Sequence, residues 1–302
     1  MHNPVIISVG GGKGGIGKST VTANLGVALA QLGSSVGFLD GDLGGANLHT
    51  CLGIKRPRYD LQDFIAGRVA LLSDIATPTP VANTWLIGGA SDILELANPL
   101  YQQKQQIISQ LKTLNADYIL VDLGAGTSTV NSDFFCAFAC GIVVSDGLPT
   151  SIENAYGYLK NGITRGFQHL FATRRDILAY VKRFADPRAA NGFATVAELL
   201  QALGGPFPDA AKQIRQWLAQ RTTLLVLNMV RENEDVAIGQ RFVAMVKKYL
   251  DVTLTYIGYV IDSPEVRVSI RAGMPAVLNN PASKLSACFG TLARNLTLVT
   301  KR

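Results

Sequence analysis

Residues 10–20 read Gly-Gly-Gly-Lys-Gly-Gly-Ile-Gly-Lys-Ser-Thr, and they are the most informative segment of the chain. From Gly12 onward, its glycines, lysine and serine have the spacing of a phosphate-binding loop. Glycines carry no Cβ, so successive backbone N–H groups can curl around a phosphate. The motif predicts that Lys18 reaches the β- and γ-phosphates of a nucleotide and that the Ser19 hydroxyl binds Mg²⁺.

The segments on either side of this loop have the patterns that such a loop requires. Val5 to Val9 is an apolar run that predicts a buried strand, and Thr20 to Leu32 has apolar residues at helical spacing. The loop is therefore expected between a strand and a helix N-terminus, where the helix dipole favours a phosphate. A glycine-rich turn that matches the motif by accident is the alternative, and this context argues against it.

Lys13 is a second lysine that the ordinary motif does not require. With it, Lys-Gly-Gly-Ile-Gly-Lys-Ser at 13–19 resembles the deviant Walker A motif of the MinD/ParA ATPase family. The resemblance implies that Lys13 reaches across a dimer interface to the partner's nucleotide; a solvated lysine that attracts phosphate is the alternative. It also implies ATP binding by Gly12, Lys13, Gly14, Gly15, Ile16, Gly17, Lys18, Ser19 and Thr20.

Three aspartates follow predicted buried strands. Asp40 and Asp42 end the apolar run 36–39, and Asp122 ends the run 118–122 before Gly-Ala-Gly. Ligands bind at the carboxyl ends of strands in open α/β sheets. The family resemblance implies that Asp42 lies in switch I near Mg²⁺ and the attacking water. It makes Asp40 an outer-shell residue of the metal, and Asp122 the Walker B acid that holds Mg²⁺ through water. Each aspartate taken alone would be an ordinary turn or strand-end residue.

Two later strands are predicted, at Thr223 to Leu227 and Leu254 to Ile261. The resemblance implies that Asn228, after the first of them, reads the adenine edge, because its amide offers a donor and an acceptor. The family usually has a proline at the position of Ile261, so this chain departs from the pattern near the base.

Two helices are predicted with specific local features. Leu100 to Leu114 is amphipathic, and its Gln and Lys face is expected in solvent. Another helix is expected to begin near Ile152, with Thr150 or Ser151 as its cap.

The cysteines do not form a recognisable metal or redox motif. They are Cys51, Cys136, Cys140 and Cys288, with no Cys-x-x-Cys pair and no histidine clustered with them. Reduced thiols in the cytoplasm are the simplest interpretation. Phe134 to Cys140 predicts a short helix that places Cys136 and Cys140 one turn apart as core residues, rather than as a metal or redox pair.

Residues 164–221 interrupt the alternation of strands and helices. They contain nine Lys and Arg against four Asp and Glu, which gives a local charge of +5. Helical patterns at 176–184, 196–203 and 210–219 predict a helical insertion packed beside the main sheet, within a single domain spanning 1–302. Its basic face is either a partner surface or a set of ordinary solvated helices.

The whole chain predicts an α/β P-loop NTPase fold, a mostly parallel twisted sheet with helices on both faces. The 302 residues can hold one large domain. The sequence shows neither a membrane-spanning run nor an evident signal peptide, so a cytoplasmic location is expected, at most peripheral at a membrane or cell pole. The net charge of +6 permits contact with DNA or an anionic membrane. Lys284 to Thr300 predicts a core helix and not a basic membrane-targeting helix.

Within the family, the segment Asp-Leu-Gly-Gly-Ala-Asn-Leu-His-Thr-Cys-Leu-Gly at 42–53 is most similar to the FlhG (FleN) branch, which regulates flagellar number and placement. The resemblance implies a switch that forms a homodimer on binding ATP. It hydrolyses ATP with Mg²⁺, using Lys13, Lys18 and Asp42, slowly unless a protein partner helps. A ParA-type DNA-partitioning ATPase, an Mrp-type iron–sulfur carrier and a nucleotide-binding module without hydrolysis are the alternatives.

Overall fold

The computed structural model describes residues 3–55, 57–89, 99–186, 188, 191–231 and 233–300, with the backbone alone at 233–235. Across these ranges eight strands form one sheet in the order β3-β4-β2-β5-β1-β6-β7-β8. The strands are β1 Val5–Gly10, β2 Val36–Asp40, β3 Thr77–Pro78, β4 Thr84–Ile87, β5 Tyr118–Asp122, β6 Cys140–Ser145, β7 Thr222–Val230 and β8 Leu254–Ile261. The short β3 runs antiparallel to β4, and the other neighbours are parallel, so the prediction of a mostly parallel sheet is confirmed.

Helices connect the strands. They are α1 Lys18–Gln31, α2 Leu48–Cys51, α3 Leu61–Ile65, α4 Tyr101–Leu111, α5 Thr129–Ala137, α6 Pro149–Leu170, α7 Arg175–Ala185, α8 Val196–Gly204, α9 Pro208–Ala219, α10 Asn233–Leu250, α11 Glu265–Ala272, α12 Ala276–Asn279 and α13 Lys284–Thr300, with a 3₁₀ turn at Leu72–Ile75.

The two faces of the sheet carry separate hydrophobic layers. Successive residues of β5 point to opposite faces. Ile119 and Val121 pack with helices α3 to α10, while Leu120 packs with α1, α2, α12 and α13. A strand buried on both faces needs apolar residues at every position, which explains the continuous apolar runs in the sequence. The prediction of helices on both faces is confirmed.

Helix α13 has the bounds that its apolar spacing predicts. Leu285, Phe289, Leu292 and Leu296 are buried against α1 and β8, and Val299 is half-buried. The interpretation of this helix as part of the core is therefore confirmed. Among the described residues, no helix is both long enough and apolar enough to cross a membrane.

Helices α7, α8 and α9 supply the added layer expected at 164–221. The first residues of that range, up to Leu170, continue helix α6 instead of starting a new element. Apolar side chains of all three added helices belong to the same hydrophobic cluster as Val143 and Leu225 of the sheet. The single-domain organisation stays a prediction that this shared core supports.

Two local predictions were wrong. Helix α5 ends at Ala137, and Cys140 begins β6, where it pairs with Ile7. The chain turns extended at Phe138 because it must reach the sheet, so Cys136 and Cys140 are not one helical turn apart; Cys140 is buried and Cys136 half-buried.

Helix α6 begins at Pro149, three residues before the expected start, and neither Thr150 nor Ser151 caps it. Proline is favoured at the first position of a helix because its φ is already helical and it lacks the N–H that a cap would satisfy. Ser151 therefore lies inside the first turn, where its hydroxyl is buried.

Candidate nucleotide-binding site

The phosphate-binding loop connects the end of β1 at Gly10 to the start of α1 at Lys18. Strand β1 lies between β5 and β6. The chain leaves β1 toward β2 on one side of the sheet and leaves β6 toward β7 on the other. Such a reversal opens a crevice at the carboxyl ends of the two strands, where ligands bind in this class of sheet. The topology thus places the loop in the binding crevice.

Two glycines of the loop are held in tight surroundings. Gly17 has a φ of 78°, in the left-handed region, directly before α1. A Cβ on Gly12 would overlap the carbonyl of Asn154, and one on Gly17 would overlap the amide of Asn228. Among the described residues, α1 has neither a side-chain cap nor an acidic residue in its first turn. Its first N–H groups are therefore available to an anion.

Lys18 is buried at the start of α1, with 8% of its surface exposed. Its Nζ donates a hydrogen bond to the carbonyl oxygen of Lys13 at 3.3 Å. Burial lowers the pKa of Lys18, and the nearby carboxylates of Asp122 and Asp42 oppose that shift. The ammonium thus lies inside the loop, close to the carboxylates of two strands.

Asp40 and Asp122 face each other in register on β2 and β5, and both are buried. Burial raises the pKa of Asp40 to about 7 and that of Asp122 to about 6. Asp122 accepts hydrogen bonds from the hydroxyls of Ser19 and Thr22, the latter at 3.1 Å. Asp40 instead accepts backbone N–H groups of the segment that follows β2, from Asp42 at 3.2 Å and Leu48 at 2.9 Å.

Asp42 is half-exposed beside the loop after β5. A Cβ on Gly124 would lie 2.9 Å from Asp42 Oδ1, so the segments predicted as switch I and switch II are in contact. The structure therefore brings Lys18, Asp40, Asp42 and Asp122 together around one point. The three carboxylates carry more negative charge than the one buried ammonium can neutralise. Together with the Ser19 hydroxyl they offer oxygen ligands that suit a hard divalent cation such as Mg²⁺.

Lys13 lies on the half-exposed side of the loop. Its carbonyl accepts the bond from Lys18. In the part of the chain that the structure describes, its ammonium makes no hydrogen bond or ion pair.

The sequence predicted that Asn228 follows the end of a strand, but Asn228 lies within β7. Strand β7 continues to Val230 through a bulge, with Met229 at a φ of 58°. The buried Asn228 amide donates to the carbonyl of Ile16 at 2.8 Å, which ties β7 to the phosphate-binding loop. One amide donor is thus used within the chain, and the adenine-reading role stays a prediction.

Sequence reasoning missed two side chains of the site. Thr22 lies one helical turn beyond Ser19 on α1, and this spacing is a signal that could have identified it. Asn131 on α5 places its Nδ2 at 3.0, 3.2 and 3.3 Å from the carbonyl oxygens of Gly124, Ala125 and Gly126. No sequence signal identifies Asn131, since the direction of those carbonyls depends on the folded loop.

Comparison with known families agrees with this geometry. The ParA family model, described as NUBPL iron-transfer P-loop NTPase, matches residues 3–146, which include the phosphate-binding loop and all three aspartates. Residues 3–146 of the chain belong to the ParA/MinD family of P-loop NTPases. The prediction made from the deviant Walker A motif is confirmed.

Two curated relatives agree with the predicted FlhG/FleN branch of the ParA/MinD family. The antiactivator FleN of Pseudomonas aeruginosa is 36% identical over 171 residues, which cover 55% of this chain and 60% of that protein. The flagellum site-determining protein YlxH of Helicobacter pylori is 33% identical over 160 residues, which cover 52% of this chain and 53% of that protein. The chain thus spans about half to three fifths of the length of these relatives.

Solved structures of the family agree in fold. The septum site-determining protein MinD of Pyrococcus horikoshii, complexed with Mg-ADP, superposes with a TM-score of 0.67 and covers 98% of this chain and 97% of its own. At 24% identity this similarity shows the fold, which is the predicted P-loop NTPase fold.

A charged cluster around Asp133 corrects another sequence prediction. Lys104 is buried, and its Nζ lies 2.5 Å from Asp133 of α5, so it is not on a solvated face as predicted. Arg165 and His169 of α6 also contact Asp133, at 2.5 and 3.0 Å. Gln102, Gln105 and Gln106 of α4 are exposed as predicted. Lys104 departs from the prediction, because the buried carboxylate that binds it comes from a distant part of the sequence.

The same cluster brings a histidine to a cysteine, against the expectation from sequence. The ligand atoms of Asp133, Cys136 and His169 lie within 4.8 Å of one another. Both oxygens of Asp133 are already bound by the cations of Lys104 and Arg165. A metal ion here would face two positive groups, so we interpret the cluster as an ion-pair network and not as a metal site.

Proposed function

We propose that the chain is a switch ATPase that forms a homodimer on binding ATP, hydrolyses ATP to ADP and phosphate, and regulates the position or number of a cellular structure such as the flagellum. The observation that carries this proposal is Lys13. It lies on a complete phosphate-binding loop, half-exposed, with an ammonium that has no partner among the described residues. A second subunit bound face to face would supply its partner, a nucleotide phosphate.

Nucleotide binding rests on the loop and the start of α1. In this proposal the backbone N–H groups of 12–20 surround the phosphates of ATP, and Lys18 contacts the β- and γ-phosphates. In this proposal Asn228, whose amide donates to the carbonyl of Ile16 beside the loop, contacts the base.

Mg²⁺ fits the polar groups beside Lys18. The Ser19 hydroxyl and Asp122 would hold it, with Asp42 near it and Asp40 in the outer shell. When bound, Mg²⁺ neutralises charge on the β- and γ-phosphate oxygens. Thr22 donates to Asp122 and so orients the carboxylate, as outer-shell partners do at metal sites.

Hydrolysis requires a water molecule in line with the γ-phosphate. Asp42 is the half-exposed carboxylate next to Gly124, and in this proposal it orients or activates that water. Lys13 of the other subunit and Lys18 would stabilise the charge at the transferring group. We expect slow turnover without a protein partner, because the two nucleotide states serve to bind different partners.

The test compares Lys13→Ala with Lys212→Ala, a control that removes an exposed lysine of α9 in the added helical layer. With Mg²⁺ and a non-hydrolysable ATP analogue, sedimentation should show the control as a dimer and Lys13→Ala as a monomer that still binds nucleotide. Phosphate release should fall in Lys13→Ala alone. Dimers of Lys13→Ala equal to those of the control would refute the trans role of Lys13.

DNA binding is a second candidate function, favoured by part of the basic insertion. Five of its cations are exposed and form no ion pair or ring contact among the described residues: Arg175, Lys182, Arg188, Lys212 and Arg215. The other four make contacts within the chain. Arg165 and Arg174 pair with aspartates, while Arg183 and Arg221 stack on aromatic rings. DNA affinity that depends on ATP and falls steeply with salt would favour this function.

An iron–sulfur carrier is less well supported. The description of the matching family model mentions iron transfer. The four cysteines of this chain, however, lie on α2, α5, β6 and α13, and they include no Cys-x-x-Cys pair. Burial raises the pKa of Cys136 to about 11 and that of Cys140 to about 12, which disfavours the thiolates that a cluster needs. Purified protein without iron or colour would exclude this function.

We propose a cytoplasmic location, with contact to a membrane or cell pole only as a peripheral protein.

A further inference from the structure

The side chain of Asn131 lies behind the loop predicted as switch II. Its Nδ2 is within 3.3 Å of three consecutive carbonyl oxygens, those of Gly124, Ala125 and Gly126. The side chain is buried, with 4% of its surface exposed, while Ala125 is exposed and Gly126 half-exposed. One amide group therefore holds a loop whose other side is open.

The carbonyl groups that point at Asn131 also determine where the N–H groups of the same three peptide bonds point. In a trans peptide the C=O of one residue and the N–H of the next point to opposite sides, and the described chain has no cis peptide bond. Because the three carbonyls converge on Asn131, the N–H groups of Ala125, Gly126 and Thr127 face away from it. Gly126, at a φ of 80°, gives the loop the left-handed turn that this convergence needs.

The loop lies against the two other parts of the site. A Cβ on Gly14 of the phosphate-binding loop would lie 3.7 Å from Ala125 Cβ, and Gly124 lies beside the Asp42 carboxylate. Successive N–H groups on one side of a loop form an anion-binding concavity. The anion within reach of both the phosphate-binding loop and Asp42 is the terminal phosphate of a nucleotide.

We propose that Asn131 is a positioning residue, which holds the N–H groups of Ala125, Gly126 and Thr127 ready for the γ-phosphate. It acts through the loop and does not itself touch the nucleotide. This role rests on the proposed ATP-dependent switch. This role would let the chain distinguish ATP from ADP, because ADP has no γ-phosphate to accept hydrogen bonds from those N–H groups.

The amide of Asn131 is suited to this task because it donates hydrogen bonds and carries no charge. Asn131 lies in the first turn of α5, where the Ser128 hydroxyl accepts its backbone N–H at 3.2 Å. Asn131→Asp keeps the shape but replaces the donor with a charged acceptor, which three carbonyls repel. Ser128→Ala weakens the same helix end and leaves the amide in place, so it is the matched structural control.

The first measurement needs no nucleotide. With glycine-selective ¹⁵N labelling, the backbone order parameters of Gly124 and Gly126 should be about 0.85 in the unchanged chain and in Ser128→Ala. In Asn131→Asp and Asn131→Ala they should fall below about 0.6. Rigid glycines in both Asn131 variants would overturn the positioning role, whether or not the chain hydrolyses ATP.

The second measurement compares affinities for ADP and for a non-hydrolysable ATP analogue, each with Mg²⁺. Both Asn131 variants should lose about tenfold in affinity for the analogue, the effect of one or two hydrogen bonds, and keep their affinity for ADP. Ser128→Ala should leave the ratio of the two affinities unchanged. Equal losses for ADP and the analogue would mean that Asn131 is merely structural. An unchanged chain that binds neither nucleotide would refute the proposed function, and the order parameters would still decide the role of Asn131.

Discussion

Thr22 shows how a single hydroxyl shapes the site. It donates to Asp122, the buried carboxylate at the end of β5, from the helix that also carries Lys18 and Ser19. Helix α1 thus supplies the ammonium, the hydroxyl beside the proposed Mg²⁺ position and the group that donates to the acid. Residues at such spacing share one helix face, so much of this arrangement follows from the motif itself.

Removing the Thr22 hydroxyl should weaken Mg²⁺ binding without changing the fold. Thr22→Val keeps the shape of the side chain, and Thr22→Ser keeps the hydroxyl. Outer-shell partners of metal ligands are worth about 10- to 100-fold in metal affinity. We expect such a loss, measured by Mg²⁺ titration of nucleotide binding, in Thr22→Val alone. An equal loss in Thr22→Ser would show that the hydroxyl is not the cause.

At the scale of elements, helix α5 joins the site to the rest of the molecule. Its start holds the loop through Asn131, and two residues later Asp133 binds Lys104 of α4 and Arg165 and His169 of α6. Burial alone would raise the pKa of Asp133, but the hydrogen bonds from Arg165, Lys104 and His169 outweigh it and lower that pKa. The charged form is therefore the one that the fold stabilises.

Asp133→Asn should destabilise the protein, because it leaves the buried ammonium of Lys104 without a counter-charge. We expect a loss of about 3 kcal/mol in the free energy of unfolding, measured with urea. Asp251→Asn, at an exposed pair with Lys247, should change it by less than about 1 kcal/mol. Similar values for the two variants would mean that the network contributes no more than a surface pair.

The same network sets a pH dependence of known sign. A carboxyl whose pKa is lower in the folded than in the unfolded state stabilises the fold above its unfolded pKa of about 4. That contribution is lost as the pH falls through the lower, folded pKa. The difference in stability between the unchanged chain and Asp133→Asn should therefore be full at neutral pH and shrink below about pH 4.

The elements also show which features the sequence reveals. The apolar stripe of α13 is local, and it predicted both ends of the helix at 284 and 300. The partners of Lys104 come from three helices that only the fold brings together, so its burial was not predictable. Cys140 was assigned to a helix because a short apolar run fits either structure, and only its pairing with β1 distinguishes them.

At the scale of the molecule, the sheet places the phosphate-binding loop where its strand order reverses, and the insertion adds a layer over α6 and α10. The alternation of strands and helices predicted this frame. The phosphate contacts, the metal position and the dimer remain predictions, because they depend on groups from outside the chain.

The chain should unfold as one unit, since the insertion shares its hydrophobic cluster with the sheet. Its two tryptophans report on the two parts: Trp85 lies on β4 and Trp217 on α9. In the single-tryptophan variants Trp85→Phe and Trp217→Phe, fluorescence and circular dichroism should give one and the same urea transition within each variant. A fluorescence transition of Trp217 apart from the main one would mean that the insertion is an independent domain.

In the proposed switch, two chains close on a pair of ATP molecules through Lys13. Sedimentation of the unchanged chain with Mg²⁺ decides it most directly. We expect a species of twice 32.3 kDa when the chain is saturated with a non-hydrolysable ATP analogue, and one of 32.3 kDa with ADP. A chain that stays at 32.3 kDa when saturated with the analogue would contradict it.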